Sequence, residues 1–383
     1  MNILFTSSWY PSKEHKTLGN FVERHAVASS LYHSVFVLYV RSANQKEKFS
    51  SEIIEENGIK KVLVYYKKVH SKWLMPVKFL RFYKGMKLGL SLLKEEFGLN
   101  KIDVVHHNVH FEAGIIPLYL KRKHKTPYII SEHWTAYLPS NRWEYKGFFR
   151  KWLTKKIGNN ADLQVPVSED LKNSLQELNI SIGKTKIVPN VVDINKFDIG
   201  EKPNIENEVK FIHISTLDED QKNVSGILRT FKQFLVQYPS AKLTIVGDGD
   251  HQNVEETISS LHLESSVTLL PRQNSNSIAE LLKTHHIFLL FSNYENLPCV
   301  IVESLASGTP VLASTAGGTP EHLTKELGEL VSPKDEDGLL SKMLFMVTHY
   351  HNYDPEVLRD YAERNFSFKI VGKQFSDIYQ SLK

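Results

Sequence analysis

The chain has very little cysteine and no long apolar run. Cys299 is the single cysteine in 383 residues, which excludes an intramolecular disulfide and a cysteine-rich zinc site and favours a reducing compartment. No stretch approaches the roughly 18 consecutive apolar residues of a membrane-spanning helix. Residues 1–8 lack the basic start and apolar core of a signal peptide. We therefore expect a cytoplasmic protein that is neither exported nor integral to a membrane.

Metal-binding patterns are also scarce. The best acidic cluster, Asp218 to Asp220, stands in a predicted loop before Lys222 rather than directly after a strand. Such a placement makes it a weak ligand set, because strand ends are where open α/β sheets bind their ligands. We expect neither a metal ion nor a cofactor.

Acidic residues are missing from residues 57–94, where ten Lys and Arg alternate with aromatic and aliphatic side chains. Residues 142–156 repeat this basic aromatic composition. This composition is typical of a helix that lies in a membrane interface with its lysines toward anionic headgroups. For this chain, the membrane surface would be the inner face of the cell membrane. The composition is equally compatible with aromatics that face the core and lysines that form a solvated outer face. No nucleic-acid-binding motif accompanies the charge, so we expect no nucleic-acid partner.

The net charge of +4 hides a division of the chain. Residues 1–200 hold 31 Lys and Arg against 18 Asp and Glu, whereas residues 201–383 hold 16 against 25. The first half is therefore basic by 13 charges and the second acidic by 9. We expect the two halves to meet different partners or surfaces.

Short β-type runs alternate with helical segments along the chain, which predicts parallel, Rossmann-like sheets. The predicted strands of the first half are residues 3–6, 35–40, 62–66, 103–106, 128–131, 163–167 and 186–188. A polar stretch at residues 201–208 reads as a linker before a new strand at 209–215. The tail, residues 358–382, is helical in pattern with a break between Phe366 and Phe368.

The most informative stretch runs from the buried strand at residues 287–291 to Gly308. Pro298 suits the first turn of the following helix, and Gly308 ends it. Glu295 lies in the intervening loop. Glu303 is a charged residue on a largely apolar helix, and a charge in such a place indicates a functional role. Backbone N–H groups at this helix start favour an anion. Two such carboxylates can both face the crevice at the carboxyl end of the strand.

This stretch resembles the signature of the retaining GT-B glycosyltransferases of family 4, in which two Glu are separated by seven residues. The resemblance implies that Glu295 lies by the transferred sugar and that Glu303 binds the ribose of the nucleotide. It also implies that Lys222 clamps the donor diphosphate, although Thr216 stands where relatives have a partner Arg. Backbone N–H groups near Asn296, Leu297 and Pro298, of which Pro298 itself has none, would then share the stabilisation of the leaving diphosphate.

Several further positions match the family pattern. Arg272, after the strand that begins at Val267, is implied to contact the nucleotide base. Gly19 and Asn20 follow a Trp-Tyr-Pro step and are implied to line the cleft, with Asn20 where many relatives have a second Gly. His133 follows the strand at residues 128–131 and is implied to line the donor and sugar site, with a catalytic role alongside Glu295 and Lys222. In the loop after residue 314, Thr319 is predicted as the N-cap of another helix with Pro320 in its first turn.

The resemblance implies an α/β protein of GT-B type, with two Rossmann-like domains facing each other across a cleft. The domains are predicted as residues 1–195, for the acceptor, and 196–365, for the nucleotide sugar, with a C-terminal helix in residues 366–383 crossing back to the first domain. The implied reaction moves a sugar from a UDP- or GDP-linked donor, with retention, to a hydroxyl of a saccharide or lipid-linked acceptor. The implied role is in the synthesis of cell-surface polysaccharide or glycolipid. Two alternatives remain open: a non-catalytic nucleotide-sugar-binding protein, favoured by Thr216, and a nucleotide-sugar epimerase on the same fold.

Overall fold

The computed structural model describes residues 1–15, 18–71, 74–181 and 183–383. These residues form two compact units. The first unit comprises Met1–Tyr137, Arg142–Val191 and Phe368–Lys383, and the second comprises Leu138–Asn141 and Val192–Ser367. The chain therefore leaves the first unit after Val191, a few residues before the predicted boundary at residue 195, and returns to it at Phe368 rather than at residue 366.

The strands and helices alternate along most of the chain. The strands of the first unit are β1 (Asn2–Ser7), β2 (Ser34–Ala43), β3 (Phe49–Glu56), β4 (Ile59–Lys67), β5 (Val104–Asn108), β6 (Tyr128–Glu132) and β7 (Leu163–Pro166). Its first five helices are α1 (Asn20–Ser30), α2 (Met75–Phe97), α3 (Ile115–His124), α4 (Phe148–Asn159) and α5 (Glu169–Glu177). The strands of the second unit are β8 (Lys210–Ser215), β9 (Lys242–Gly247), β10 (Val267–Pro271), β11 (Ile287–Leu290), β12 (Val311–Ser314) and β13 (Gly328–Val331). Its helices are α6 (Glu219–Lys222), α7 (Val224–Phe234), α8 (His251–Ser260), α9 (Ser275–Thr284), α10 (Cys299–Ala306), α11 (Glu336–Thr348) and α12 (Pro355–Phe366), and the last helix of the chain, α13 (Phe368–Gln380), belongs to the first unit.

The sheet of the first unit has the order β3-β4-β2-β1-β5-β6-β7. All its neighbours are parallel except β3, which pairs antiparallel with β4. The prediction of a wholly parallel sheet was therefore wrong at this edge. Asn57 and Gly58 join β3 to β4 with φ of 51° and 74°, and such left-handed pairs make the tight turn of a two-residue hairpin.

Both faces of this sheet are covered, because alternate residues of each strand point to opposite sides. Ile3 and Phe5 of β1 pack in one buried cluster with Phe375 of α13, whereas Leu4 packs in a second cluster with Met86 of α2. Helix α13 lies against α1. The C-terminal helix thus completes one face of the core of the first unit.

The sheet of the second unit has six parallel strands in the order β10-β9-β8-β11-β12-β13. Its order reverses beside β8, which is the kind of switch point where doubly wound sheets bind ligands. Helices α12 and α13 are separated at Ser367, where the sequence predicted a break. The two α/β units match the predicted fold class.

Three local predictions need correction. Residues 186–188 form no strand; they follow Thr185, which makes only an isolated bridge to Gln164. Thr319 does not cap an α-helix but begins a short 3-10 segment, Thr319–Glu321, whose N-cap is Gly318. Pro298 is itself the N-cap of α10 rather than a residue of its first turn.

Candidate functional site

The strand ends of the second unit carry a buried ion pair between two of the predicted site residues. Lys222 Nζ donates to Glu295 Oε1, and the two residues are only 8% and 5% exposed. Ser292 Oγ donates to the same carboxylate oxygen at 2.8 Å. A buried ion pair is stable only when its remaining hydrogen-bonding groups are also satisfied. The cation predicted for the diphosphate and the carboxylate predicted for the sugar thus contact each other directly.

Two loops are tied together to form this pair, one after β8 and one after β11. The side chain of Asp218 caps α6 by accepting from the Gln221 backbone N–H at 3.0 Å. The Gln221 carbonyl accepts from the Asn293 N–H at 2.7 Å, and Gln221 Nε2 donates to Glu295 Oε2 at 3.4 Å. Asp218 therefore has a structural role as a helix cap, and Gln221 holds the two loops in register.

A third loop, after β12, supports the backbone of Glu295. Gly317 has a φ of 58°, and a Cβ at this position would lie 1.8 Å from the Glu295 carbonyl oxygen. The next residue, Gly318, donates its N–H to the Asn296 carbonyl at 2.8 Å. Only glycine permits both this backbone conformation and this close approach. The two glycines after β12 therefore fix the main chain that carries Glu295.

The helix that follows this loop carries the second predicted carboxylate. Helix α10 begins directly after Pro298 and ends at Ala306, with Gly308 in the left-handed conformation just beyond it. Glu303 is 5% exposed on a helix that also buries Val302 and Leu305. The contact of Glu303 with ribose stays a prediction.

Among the other predicted residues of this unit, Asn296 and Leu297 are buried next to Glu295, whereas Thr216 and Arg272 are exposed. Thr216 follows β8, and its carbonyl oxygen would lie 1.9 Å from a Cβ at residue 249, where the chain has glycine. Arg272 follows β10 at the carboxyl edge of the sheet. Both lie at strand ends, and their contacts with a donor stay predictions.

In the first unit, Gly19 and Asn20 form the start of α1. Gly19 is the N-cap of α1 with a φ of 80°, and a Cβ there would lie 2.5 Å from the Trp9 carbonyl oxygen. This residue must therefore be glycine for the loop after β1 to pack against the helix start. Asn20, which replaces the second glycine of many relatives, is the first residue of the helix.

His133 emerges directly after β6, as predicted, but it is buried rather than open. Its ring lies 4.1 Å from the Phe21 ring and 5.4 Å from the His25 ring, between centroids. Burial, together with the neighbouring His25, lowers the pKa of His133 well below its ordinary value. A catalytic contribution from His133 would therefore come from a neutral imidazole acting through hydrogen bonds.

Sequence reasoning gave little weight to Glu132 and missed His110. The Glu132 carboxylate is fully buried, pairs with His110 Nδ1 and accepts the backbone N–H groups of His110, His133 and Trp134 at 2.8 to 3.0 Å. Burial acts to raise the pKa of Glu132, but His110 and these N–H groups outweigh it, so that its pKa lies below the ordinary value. The signal available in the sequence was a polar residue close to the end of each of two buried strands, since Glu132 is the last residue of β6 and His110 lies two residues after β5.

The first unit also contains a cavity of about 400 Å³ that the sequence did not reveal. Its lining includes Trp9 after β1, Ser42 in β2, Lys68 after β4, Val109 after β5 and Trp134 after β6. All these positions lie at the carboxyl edge of the sheet, where α/β folds bind ligands. The volume falls within the range of small-molecule sites.

The two basic aromatic segments meet on the surface of the first unit. The Phe79 ring of α2 contacts the Phe149 ring of α4, with centroids 6.4 Å apart, and Phe149 contacts Trp152 at 5.9 Å. The exposed members of this basic aromatic surface are Leu74, Met75, Phe79, Leu80, Trp143, Phe148, Phe149 and Trp152. Phe148 is 87% exposed and Trp143 62% exposed. The alternative in which the aromatics face the core therefore holds for the buried Tyr65, Tyr66, Phe82 and Tyr145, and not for the five exposed aromatics of this surface.

Part of that prediction lies outside the described residues, since Lys72 and Trp73 are among those the structure leaves out. Within the described ranges, no helix is both long enough and apolar enough to cross a bilayer. Over the same ranges, no group of three His, Cys, Asp or Glu side chains is arranged to hold a metal ion.

Two family models match the chain. The model described as Glycosyltransferase Family 4 matches residues 28–196, and the model described as Glycosyl transferases group 1 matches residues 195–364. The two matches meet within one residue of the predicted domain boundary at residue 195. Together they match residues 28–364, which leaves out β1, most of α1 and the last helix, α13.

The sequence is also similar to individual curated proteins. An uncharacterised glycosyltransferase of Methanocaldococcus jannaschii is 28% identical over 282 residues, which cover 69% of this chain and 66% of that protein. Alpha-monoglucosyldiacylglycerol synthase of Streptococcus pneumoniae is 25% identical over 272 residues, which cover 66% of this chain and 58% of that protein. The chain thus spans somewhat less than two thirds of the length of these curated relatives.

Solved structures share the fold over the whole chain. The crystal structure of Anabaena HepE in complex with UDP-glucose matches with a TM-score of 0.73 and 18% identity, and the match covers 100% of both chains. At this identity the likeness concerns architecture, and the architecture is GT-B.

Proposed function

This chain belongs to the group 1, family 4 glycosyltransferases, and we propose that it transfers a sugar, with retention of configuration, from a nucleotide diphosphate to a hydroxyl group of an acceptor. The single observation that carries the proposal is the buried Lys222–Glu295 pair at the strand ends of the second unit. A cation and a carboxylate side by side match the two needs of such a donor. The cation meets the diphosphate, and the carboxylate meets the hydroxyls of the sugar.

In the proposed reaction, the bond between the anomeric carbon and the diphosphate oxygen breaks while the acceptor oxygen bonds to the same face of that carbon. The acceptor proton passes to the leaving diphosphate. Negative charge grows on the diphosphate as the bond breaks, so groups already aimed at it lower the barrier. Lys222 and the backbone N–H groups at Asn296, Leu297 and the start of α10 are the protein groups assigned this role. The chemistry needs no cofactor, and we propose that none takes part.

Several features support a nucleotide sugar as the donor. Glu303 is a buried carboxylate on the helix directly after the Glu295 loop, and a ribose offers it two hydroxyl donors. Anabaena HepE, which shares the fold, was solved with UDP-glucose. We propose UDP- and GDP-linked sugars as the two donor classes, with the acceptor a saccharide or a lipid-linked compound in glycolipid or polysaccharide synthesis.

Thermal unfolding with a panel of UDP- and GDP-linked sugars tests donor binding, because a ligand that binds the native state raises its stability. We expect at least one donor to raise the Tm and lose its sugar slowly to water. Proton NMR of the released or transferred sugar then reports the configuration, and initial formation of the opposite anomer would contradict retention. Firm binding with no turnover by any acceptor would favour the nucleotide-sugar-binding alternative, and a change of configuration within the intact donor would favour the epimerase.

The basic aromatic surface supports a second proposal, that the first unit attaches to anionic membrane surfaces. A contiguous exposed apolar patch rimmed by charge is typical of an interaction surface. Lys78, Arg81 and Lys84 follow Met75 along α2, and Lys156 Nζ lies 4.7 Å from the centre of the Trp152 ring. Aromatic rings enter the acyl boundary of a bilayer while lysines meet its headgroups. A bilayer therefore matches both the apolar and the basic parts of this surface.

Co-sedimentation with liposomes of graded anionic content tests this attachment. Each Lys or Arg near an anionic surface contributes about 1 kcal/mol, and the attraction fades with salt because the Debye length is only about 10 Å at 0.1 M. We expect binding at low salt that weakens in the variant with Lys72, Lys78, Arg81 and Lys84 changed to Gln. Native protein that stays in the supernatant with anionic vesicles at low salt would contradict the proposal.

A further inference from the structure

The cavity of the first unit is lined by more cations than its acids can balance. Arg41, Lys68, Lys78 and Arg150 line it together with a single carboxylate, Glu112. Lys78 Nζ already pairs with Glu112 at 2.7 Å. Throughout the part of the chain that the structure describes, the other three cations form no ion pair. The cavity therefore keeps three uncompensated positive charges.

The two arginines are held in place by contacts that leave their N–H groups available. Arg150 lies over the rings of Phe111 and Trp134, with its guanidinium carbon 5.2 and 5.4 Å from their centres. Stacking occupies the face of a guanidinium and leaves its edge free to donate. Arg41 uses one nitrogen to donate to the Tyr39 hydroxyl at 3.0 Å and has further N–H groups to offer. Guanidinium edges prefer planar or tetrahedral oxyanions, which they bind through paired hydrogen bonds.

We propose that this cavity is the acceptor site and that Arg41, Lys68 and Arg150 form a subsite for a phosphate or diphosphate group of the acceptor. This inference rests on the proposed glycosyl transfer and adds the chemical class of the acceptor. A neutral saccharide would leave three cations without partners in a cavity of about 400 Å³. An acceptor whose hydroxyl or sugar is joined to phosphate compensates them, and Trp9 and Trp134 offer ring faces to the remainder of the molecule.

The phosphate can belong to a lipid or to a water-soluble ester, and the surroundings indicate how to distinguish them. A narrow apolar crevice of about 30 Å³ shares Tyr66, Phe82 and Phe111 with the cavity and reaches Phe79 and Phe149 of the basic aromatic surface. It is too small to hold a ligand by itself. It nevertheless joins the cavity to the surface proposed to face a membrane, as a lipid-linked acceptor requires.

The test uses the full chain with UDP at saturation, so that the proposed nucleotide site is not open to the probes. The probes are farnesyl diphosphate below its micelle concentration, inorganic pyrophosphate and farnesol, followed by tryptophan fluorescence and by calorimetry. All five tryptophans lie between residues 9 and 152, and Trp9 and Trp134 line the cavity, so emission reports on the first unit. UDP binding is measured separately, and failure there counts against the proposed function rather than against this subsite.

We expect Arg41→Gln with Arg150→Gln to weaken farnesyl diphosphate binding about tenfold or more, because hydrogen bonds to charged groups are lost. The exposed pair Arg122→Gln with Lys125→Gln is the matched control and should bind as the native protein does. Lys68→Gln, at an exposed position that cannot disturb the core, should give a smaller loss in the same direction and covers the case in which the double variant fails to fold.

If farnesyl diphosphate binds at least tenfold more tightly than pyrophosphate, the phosphate belongs to a lipid. If the two bind equally tightly, it belongs to a soluble ester. Both results support the subsite. Farnesol binding as tightly as farnesyl diphosphate would overturn it. Unchanged affinity in the double variant and in Lys68→Gln would overturn it as well.

Discussion

The two units share a layout of parallel strands with helices on both faces, but they hold their charged side chains in opposite ways. In the second unit, Lys222 and Glu295 are buried against each other at the strand ends. In the first unit, Arg41, Lys68 and Arg150 line the strand-end cavity without acidic partners. An anion entering the first unit meets cations that are already available. In the proposed reaction, a diphosphate that binds Lys222 in the second unit would first draw it from Glu295, and we expect a sugar hydroxyl to take the place of Lys222 at the carboxylate.

The largest expected effect comes from removing the cation of that buried pair. Lys222→Ala should lower turnover by about 10²- to 10³-fold, the usual cost of losing one preorganised group aimed at developing charge. The donor KM should rise much less, because the charge grows toward the transition state. Steady-state kinetics with the donor found by thermal shift measures both quantities.

A matched control is Lys232→Ala, an exposed lysine of the same unit. Because Lys222→Ala leaves a carboxylate buried without its cation, the free energy of unfolding of this variant is measured beside its turnover, which separates loss of stability from loss of catalysis. Native turnover in Lys222→Ala would show that Lys222 serves only to hold Glu295.

The next effect concerns nucleotide affinity in the second unit. Glu303→Gln should weaken nucleotide binding by about 1 kcal/mol, since a charged hydrogen bond to ribose, worth about 1.5–3 kcal/mol, becomes a neutral one worth about 0.5–1.5 kcal/mol. Calorimetry with UDP and GDP measures the change, and the exposed Glu326→Gln provides the comparison. Equal affinity in both variants would remove Glu303 from the site.

The pH dependence of stability should reveal the buried His25 of the first unit. Burial lowers the pKa of His25 to about 4, although its hydrogen bond to the Pro189 carbonyl opposes the shift. The unfolded chain takes up this proton below pH about 6.5, and the folded one resists it. The contribution of neutral His25 to the free energy of unfolding is therefore fully present above that pH. It is lost as the pH falls toward 4, and the loss reaches about 2 kcal/mol at pH 5.

Urea unfolding followed by tryptophan emission at pH 7.5 and pH 5 measures this loss, because every tryptophan belongs to the first 152 residues. His25→Gln should reduce the difference between the two pH values by about 2 kcal/mol. The exposed His124→Gln should leave it as in the native chain. An unchanged difference in His25→Gln would mean that this imidazole does not titrate as its burial indicates.

The smallest effect on stability is expected at the basic aromatic surface. Phe148 is 87% exposed, so Phe148→Ser should change the free energy of unfolding by less than about 0.5 kcal/mol. It should nevertheless weaken binding to anionic vesicles at high salt, where the apolar contribution remains. A large loss of stability would show that Phe148 packs against the protein rather than facing outward.

Much of the fold could be predicted because its signals are local. Strand runs, the break between Phe366 and Phe368, and the glycine after α10 are all properties of a few neighbouring residues. The edge strand β3 was missed even though Asn57 and Gly58 are a strong hairpin signal, because its solvent-facing residues are polar and weaken the β pattern.

The site was predictable as a set of residues but not as an arrangement. The family resemblance picked out Lys222 and Glu295 separately, and no local pattern says that they pair, since the contact depends on how the loops after β8 and β11 pack. The pairing of His110 with Glu132 was missed for the same reason. The cavity cations Arg41 and Arg150 come from segments more than a hundred residues apart and only the sheet brings them to one edge.

Helix α13 has a consequence for how the chain is made. Val371, Phe375 and Ile378 fill one face of the core of the first unit, and the Tyr379 hydroxyl meets His106 at 2.6 Å. These residues leave the ribosome after the entire second unit. The first unit therefore spends most of its synthesis with an uncovered apolar face and with His106 Nδ1 lacking the Tyr379 hydroxyl, and any fragment ending near residue 191 inherits both. An expression fragment of the first unit should accordingly carry residues 368–383 joined by a short linker, and the order in which the units mature is the reverse of the order in which they are translated.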